Sequence, residues 1–180
     1  MERWHLTASE QLVKSPWLSL ERNSYKIAGD RTISDYYILR RKPFVLIIAQ
    51  YNENVLLVRQ YRPATDKFYL AVPAGFIDEG EEITTAARRE LLEETGAEGT
   101  DFRVIGTLDP LPGYINSQAS IVWCRCLTPP DVTKCDEEVE STETFPWTEV
   151  TKMIMSGAIN EMQAVSALLL AKEWLENTSS

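Results

Sequence analysis

Apolar and polar positions alternate through the first quarter of the chain, merge into unbroken apolar runs in the second, and recur at helical spacing near the end. Residues 9–42 read as short strands: "SEQLVK", then "WLSLERNSYK", a turn at "AGD", and "TISDYYIL", whose β-branched and aromatic residues suit a pleated surface. A small antiparallel sheet is predicted there. Pro43 separates it from "FVLIIAQ", a run suited to a strand covered on both faces, and "YNEN" leads by a hairpin into "VLLVRQY". Further strands are predicted at "FYLAVP", "FRVIGTL", "ASIVWCRCL" and "TETFPW".

Three segments carry helical signals. One begins at Thr84 or a neighbour and runs to Thr95, with Gly96 as the left-handed residue beyond it. "TEVTKMIMSG" has Thr148 as N-cap and Gly157 past its end, and "INEMQAVSALLLAKEWLEN" repeats apolar positions with helical period. The pattern predicts an α/β or α+β architecture in which helices pack on a mixed sheet. No repeat or linker interrupts it, so residues 1–42 form an N-terminal β region and 43–180 the main domain.

With 180 residues, 44% apolar and 25% charged, the chain suits one well-packed core. "MERWHLTASEQLVKSPW" lacks the apolar run of a signal peptide, and no stretch approaches the ~18 apolar residues of a spanning helix. A cytoplasmic protein without a membrane partner is expected. A net charge of −9 gives a polyanion little long-range attraction, which argues against nucleic acid as partner. His5 is the only histidine, so histidine-based nucleophile activation and histidine-rich zinc sites lack their central residue. Cys124, Cys126 and Cys135 have no metal-ligand spacing and read as free thiols, the first two on one face of a strand.

One stretch does not read as ordinary structure. "GFIDEGEEITTAARRELLEETG", residues 75–96, holds seven acidic side chains, and Ile83, Ala87, Glu90 and Glu94 fall on one helical row that turns from apolar to acidic. Glu90, Glu93 and Glu94 lie within about a 100° arc that continues the apolar stripe instead of opposing it. Like charges so placed repel, more strongly where the site is dry. Arg88 and Arg89 look too few and wrongly angled to cover all three. A hard divalent cation with oxygen ligands resolves the conflict. Gly75 and Gly80 predict tight turns in the preceding loop, where the "PAG" backbone groups come within reach of a metal or phosphate.

Gly75, Glu81 and the run Arg89-Glu90-Leu91-Leu92-Glu93-Glu94-Thr95-Gly96-Ala97 resemble the complete Nudix box of the Nudix hydrolases, a pattern spanning twenty-three residues. The resemblance implies a Nudix-type α/β/α sandwich with a mixed central sheet, here preceded by the small N-terminal antiparallel sheet. It implies hydrolysis of a nucleoside diphosphate linked to another group, with Mg²⁺ as cofactor and Mn²⁺ as a substitute. Carried over by residue, Glu90 and Glu94 are implied metal ligands with the Ala74 carbonyl, and Glu93 joins them directly or through water. Glu81 is implied to hold Arg89, which braces the loop.

Two flanking segments, "LVRQYRPATDKFYLAVPAGFIDEGE" and "LDPLPG", are similar to the ADP-ribose pyrophosphatase branch, the second placing Pro112 and Gly113 where that branch carries a proline. The implied reaction is cleavage of ADP-ribose to AMP and ribose 5-phosphate. Arg59 and Arg62 offer guanidinium forks to the diphosphate, and Trp17 and Tyr36 offer flat faces to the base. Ile33 takes the place of a base-stacking aromatic residue of some relatives. For the attacking water, "KCDEEVESTETFPW" supplies Glu138 as base, with Glu137 and Glu140 as rivals. A homodimer sharing the N-terminal sheet is implied as well. Other substrates (GDP-mannose, NADH, a nucleoside triphosphate) and a catalytically silent binding module remain alternatives.

Overall fold

The computed structural model describes residues 3–131, 133 and 138–178. In chain order the elements are β1 (His5–Lys14), β2 (Leu18–Lys26), a 3-10 turn over Ala28–Asp30, β3 (Thr32–Arg41), β4 (Phe44–Tyr51) and β5 (Asn54–Arg62). Then follow β6 (Lys67–Ala71), β7 (Ala74–Phe76), α1 (Ile83–Thr95), β8 (Gly99–Leu108), β9 (Ile115–Asn116) and β10 (Ala119–Cys126). β11 (Val139–Pro146), α2 (Trp147–Ser156) and α3 (Met162–Thr178) complete the chain. The backbone groups into two units, Met1–Pro43 with Asp109–Gln118, and Phe44–Leu108 with Ala119–Ser180. Compactness thus draws a division at Pro43 and puts 109–118 with the first unit, a segment the sequence pattern left in the second region.

In the first unit a four-stranded sheet runs β1-β2-β3-β9. Its first three strands are the antiparallel set anticipated from the alternating pattern, and β9 adds a parallel edge through Leu39↔Ile115 and Arg40↔Asn116. Two residues after a Pro-Gly pair give no strand signal, which is why β9 was not legible beforehand. Trp4, Tyr25 and Tyr36 cluster with ring centroids 5.6–6.0 Å apart.

The second unit is built on a mixed sheet of order β11-β5-β4-β10-β8, with β6 paired to β5 and β7 to β4. Residues Phe44–Ala49 are all buried, as an unbroken apolar run requires, and β4 pairs in parallel with β10. Asn52 and Glu53 take left-handed φ values of 46° and 68° in the β4–β5 hairpin. α1 buries Ala86, Ala87 and Leu91, α3 buries Ala164, Ala167, Leu168 and Ala171, and both pack on β4 and β8. The result is the α/β/α arrangement with a mixed central sheet.

Three local expectations need correction. Ala74 and Gly75 of the "PAG" stretch belong to the strand β7, not to a loop, with Pro73 just before it: Val45 pairs with Gly75 and Leu46 with Ala74. α2 starts one residue ahead of Thr148, with extended Pro146 in the N-cap position. α3 starts at Met162, because Gly157 turns left-handed and the Ile159 N–H donates to the Met153 carbonyl, burying Ile159 before the helix can begin. Cys124 and Cys126 are buried free thiols, while Cys135 lies outside the described residues.

Candidate functional site

α1 sets the site because its row of small residues lets it sit close to the sheet while its second half carries the acids. Ala86 and Ala87 are fully buried, and one turn on, the same side presents Glu90 and Glu94. Glu94 is only 7% exposed. Gly96 ends the helix in the left-handed conformation, with its N–H donating to the Leu92 carbonyl.

Arg89 is the hub of the exposed side. Its guanidinium forks onto Glu81 (Nε to Oε1 3.1 Å, Nη2 to Oε2 3.0 Å), reaches Glu90 Oε1 at 2.7 Å and Glu93 Oε2 at 3.0 Å, and donates to the Phe76 carbonyl at 2.9 Å. The expectation that arginines are wrongly angled to cover the carboxylates is therefore corrected for Glu90 and Glu93. Five donors on a planar fork reach an i+4 neighbour and the adjacent residue together. Arg88 does turn away, to the Gly99 carbonyl and the Phe102 ring. Glu81 also accepts the Asp78 N–H, and Arg89 foremost holds the Glu81 carboxyl below its usual range.

Glu94 is untouched by Arg89. Its Oε2 accepts the Ala74 N–H at 2.9 Å, and its Oε1 accepts Gln60 Nε2 at 2.6 Å. Burial nevertheless raises its pKa from 4.5 to about 8, against the opposing effect of those two donors. Burial raises Glu90 as well, against the pull of Arg89. Glu90 packs directly on β7: a Cβ added at Gly75 would lie 1.9 Å from Glu90 Cδ. Gly75 thus serves close approach, not the tight turn read from the sequence; Gly80, at φ 78°, does supply a turn.

These residues fit a divalent cation by donor chemistry. Half-buried Glu90 and buried Glu94, whose charged forms burial disfavours, form a hard oxygen donor set that a small dication would stabilise. As described, Arg89 stands as the cation beside Glu90 and Glu93, and among the described residues no three Asp, Glu, His or Cys side chains converge as a ready ligand set.

On β5, Arg59 and Arg62 are an odd number of positions apart, with Gln60 and Tyr61 between them, so they point to opposite faces. Arg62 shares the face of buried Gln60, and its charge favours ionised Glu94; its Nη2 lies 3.9 Å from Glu161 Oε1. Arg59 instead packs over the Phe68 ring and hydrogen-bonds Glu140. Glu140 is the extra residue of a bulge between the pairs Val139↔Gln60 and Ser141↔Arg59. Glu138 is exposed in the turn before it, and Glu137 lies outside the described residues.

Gln60 is the site residue that sequence reasoning passed over. The available signal was a polar side chain on the parity of Val58 within an apolar strand, a position that would otherwise be filled by a core residue. In the first unit, Tyr36 donates to the Gly113 carbonyl at 2.6 Å, and Tyr36, Pro112 and Gly113 line one cavity of about 240 Å³ with Tyr114 and Asn116. Trp17 is exposed at the start of the β2 arm, and Ile33 sits opposite Tyr25. Among the described residues no helix is long and apolar enough to cross a membrane.

The NUDIX domain model matches residues 40–165. The chain is 31% identical over 132 residues to the ADP compounds hydrolase NudE of Escherichia coli (strain K12), covering 73% of this chain and 71% of that one. It is 33% identical over 130 residues to the ADP-sugar pyrophosphatase of Mus musculus, covering 66% of this chain and 60% of the relative. A crystal structure of an ADP compounds hydrolase superposes with a TM-score of 0.84 at 26% identity, over 99% of this chain and 97% of that one.

Proposed function

The chain belongs to the Nudix family, and from that premise we propose that it hydrolyses ADP-ribose at the pyrophosphate, yielding AMP and ribose 5-phosphate, with Mg²⁺ as cofactor and Mn²⁺ as a substitute. The observation that carries the reading is the neighbouring pair of half-buried Glu90 and buried Glu94, the latter within the influence of Arg62. The names of the relatives, an ADP compounds hydrolase and an ADP-sugar pyrophosphatase, support the ADP half of the substrate.

Glu90 and Glu94 would hold the cation with the Ala74 carbonyl, and Glu93 directly or through water. When bound, the metal supplies Lewis acidity and charge neutralisation at the phosphates. Arg89 ties the end of β7 to α1 through Phe76 and Glu81, so that both sets of donors keep one geometry. Arg62 receives the diphosphate, with Arg59 contributing once released from Glu140. Glu138 takes a proton from the attacking water as the new O–P bond forms and the bridging P–O bond breaks.

Tyr36, Pro112 and Gly113, with Trp17, are assigned to the adenosine end. The cavity of about 240 Å³ that Tyr36, Pro112 and Gly113 line, without Trp17, is smaller than the ~300–1,000 Å³ of sites for whole drug-sized ligands, so it suits one ring of a ligand. A homodimer is proposed through the first unit, whose β1 is exposed along its whole length and shows Leu6, Leu12 and Val13 to solvent.

A second reading, another ADP-linked compound, is favoured by the breadth in the name of the Escherichia coli relative. Product identification over a panel of ADP-ribose, other nucleotide sugars, dinucleotides and dNTPs, each with and without Mg²⁺, tests both. AMP and ribose 5-phosphate from ADP-ribose support the first reading, and exclusive release of pyrophosphate from dNTPs contradicts both.

A further inference from the structure

Gln60 is 1% exposed in a strand whose other inward positions are aliphatic, and a buried amide there costs free energy unless its polar atoms are used. Its Nε2 is used, on Glu94 Oε1 at 2.6 Å, while its Oε1 is buried with no hydrogen-bond partner. A residue kept there for packing alone would be served better by leucine or methionine. Its amide is retained at the expense of an orphaned acceptor, so its value lies in what it donates.

The donation completes a clamp. Ala74 N–H fixes one oxygen of Glu94 and Gln60 fixes the other, so the carboxylate has a single orientation and each oxygen keeps a free lone pair. The two clamping groups come from β7 and β5, elements placed by the sheet and not by the helix. Glu90, by contrast, is oriented by Arg89 and by contact with Gly75. The two acids are held by independent devices.

We propose that Gln60 is a positioning residue that orients Glu94 for the divalent cation and thereby sets the affinity of the site for metal. The inference rests on the reading of Glu94 as a metal ligand given above. Outer partners of this kind hold a ligand's orientation in advance of binding, and their loss weakens metal binding by about 10–100-fold.

The test is Mn²⁺ binding without substrate, followed by electron paramagnetic resonance of the free ion, in the full chain and its Gln60→Met and Gln60→Leu variants. Methionine matches the volume of the amide and serves if leucine does not fold. Expected is a dissociation constant raised about 10–100-fold in the variants, with unchanged or higher thermal stability of the metal-free protein. Turnover of ADP-ribose should recover toward the parent kcat as Mn²⁺ is raised, which a structural defect would not allow. Binding within twofold of the parent chain overturns the role of Gln60. If the parent chain itself binds no Mn²⁺, the metal-ligand reading of Glu94 fails first, and the inference with it.

Discussion

Gly75 leaves no room for a methyl group because the Glu90 carboxylate rests on its Cα, where a Cβ would lie 1.9 Å from Cδ and 2.0 Å from Oε2. The strand β7 and the helix α1 are thereby locked at a distance only glycine permits. Gly75→Ala must push Glu90 aside. Overpacking costs about 1–3 kcal/mol, and a ligand displaced by about 1 Å costs on the order of 100-fold in rate. Turnover should fall by that factor while the circular dichroism spectrum stays that of the parent.

Arg89 is the second lock. Arg89→Lys keeps the charge but loses the fork onto Glu81 and the bond to the Phe76 carbonyl. The expected loss is about 1–3 kcal/mol of stability, read from chemical denaturation, together with a lower kcat. Full activity and stability in this variant would show that the fork is dispensable.

How much of this was legible beforehand differs by residue. The row Glu90–Glu94 was plain from spacing, because a helix turns residue numbers into faces. Gly75 was visible as a glycine but for a turn, since close approach depends on the side chain of Glu90, far along the chain, which sequence does not locate. Gln60 was hidden because a polar residue beside Arg59 in "VLLVRQY" does not reveal which face it shares with Glu94. Short β7 and β9 escaped because pairing partners, not local propensity, make them strands. The reach of Arg89 was underestimated because a guanidinium serves several acceptors at once.

Stability of the metal-free protein should depend on pH through Glu94. Its folded pKa of about 8 lies above the ordinary 4.5, so the folded state binds more protons than the unfolded one across that interval. Stability therefore falls as pH rises from about 4.5 through 8 on account of this group. In EDTA, Glu94→Gln should raise the unfolding midpoint at pH 8 and leave it nearly unchanged below pH 5. A midpoint equally lowered at both pH values would contradict this.

The two β5 arginines should separate in kinetics. Arg62 shares the face of Gln60, whereas Arg59 is engaged by Glu140 and Phe68 on the other. Arg62→Ala is expected to lower kcat/KM for ADP-ribose by about 10–100-fold, the loss of a charge-assisted fork of roughly 1.5–3 kcal/mol. Arg59→Ala should cost distinctly less. Equal losses would mean that Arg59 swings across on substrate binding.

Multi-angle light scattering should give twice the chain mass of 20.5 kDa at micromolar concentration, and deletion of residues 1–14 should return the monomer. A monomer for the full chain would remove the proposed role of β1.

The most direct test of the whole account is ADP-ribose hydrolysis by the parent chain and Glu94→Gln, titrated with Mg²⁺. The parent should form AMP only when Mg²⁺ is present, and the variant should be slower by several orders of magnitude at any Mg²⁺ concentration while remaining folded. Near-parent turnover of Glu94→Gln at saturating Mg²⁺, or hydrolysis by the parent in EDTA, would show that the Glu90 and Glu94 carboxylates of α1 do not serve a metal at all.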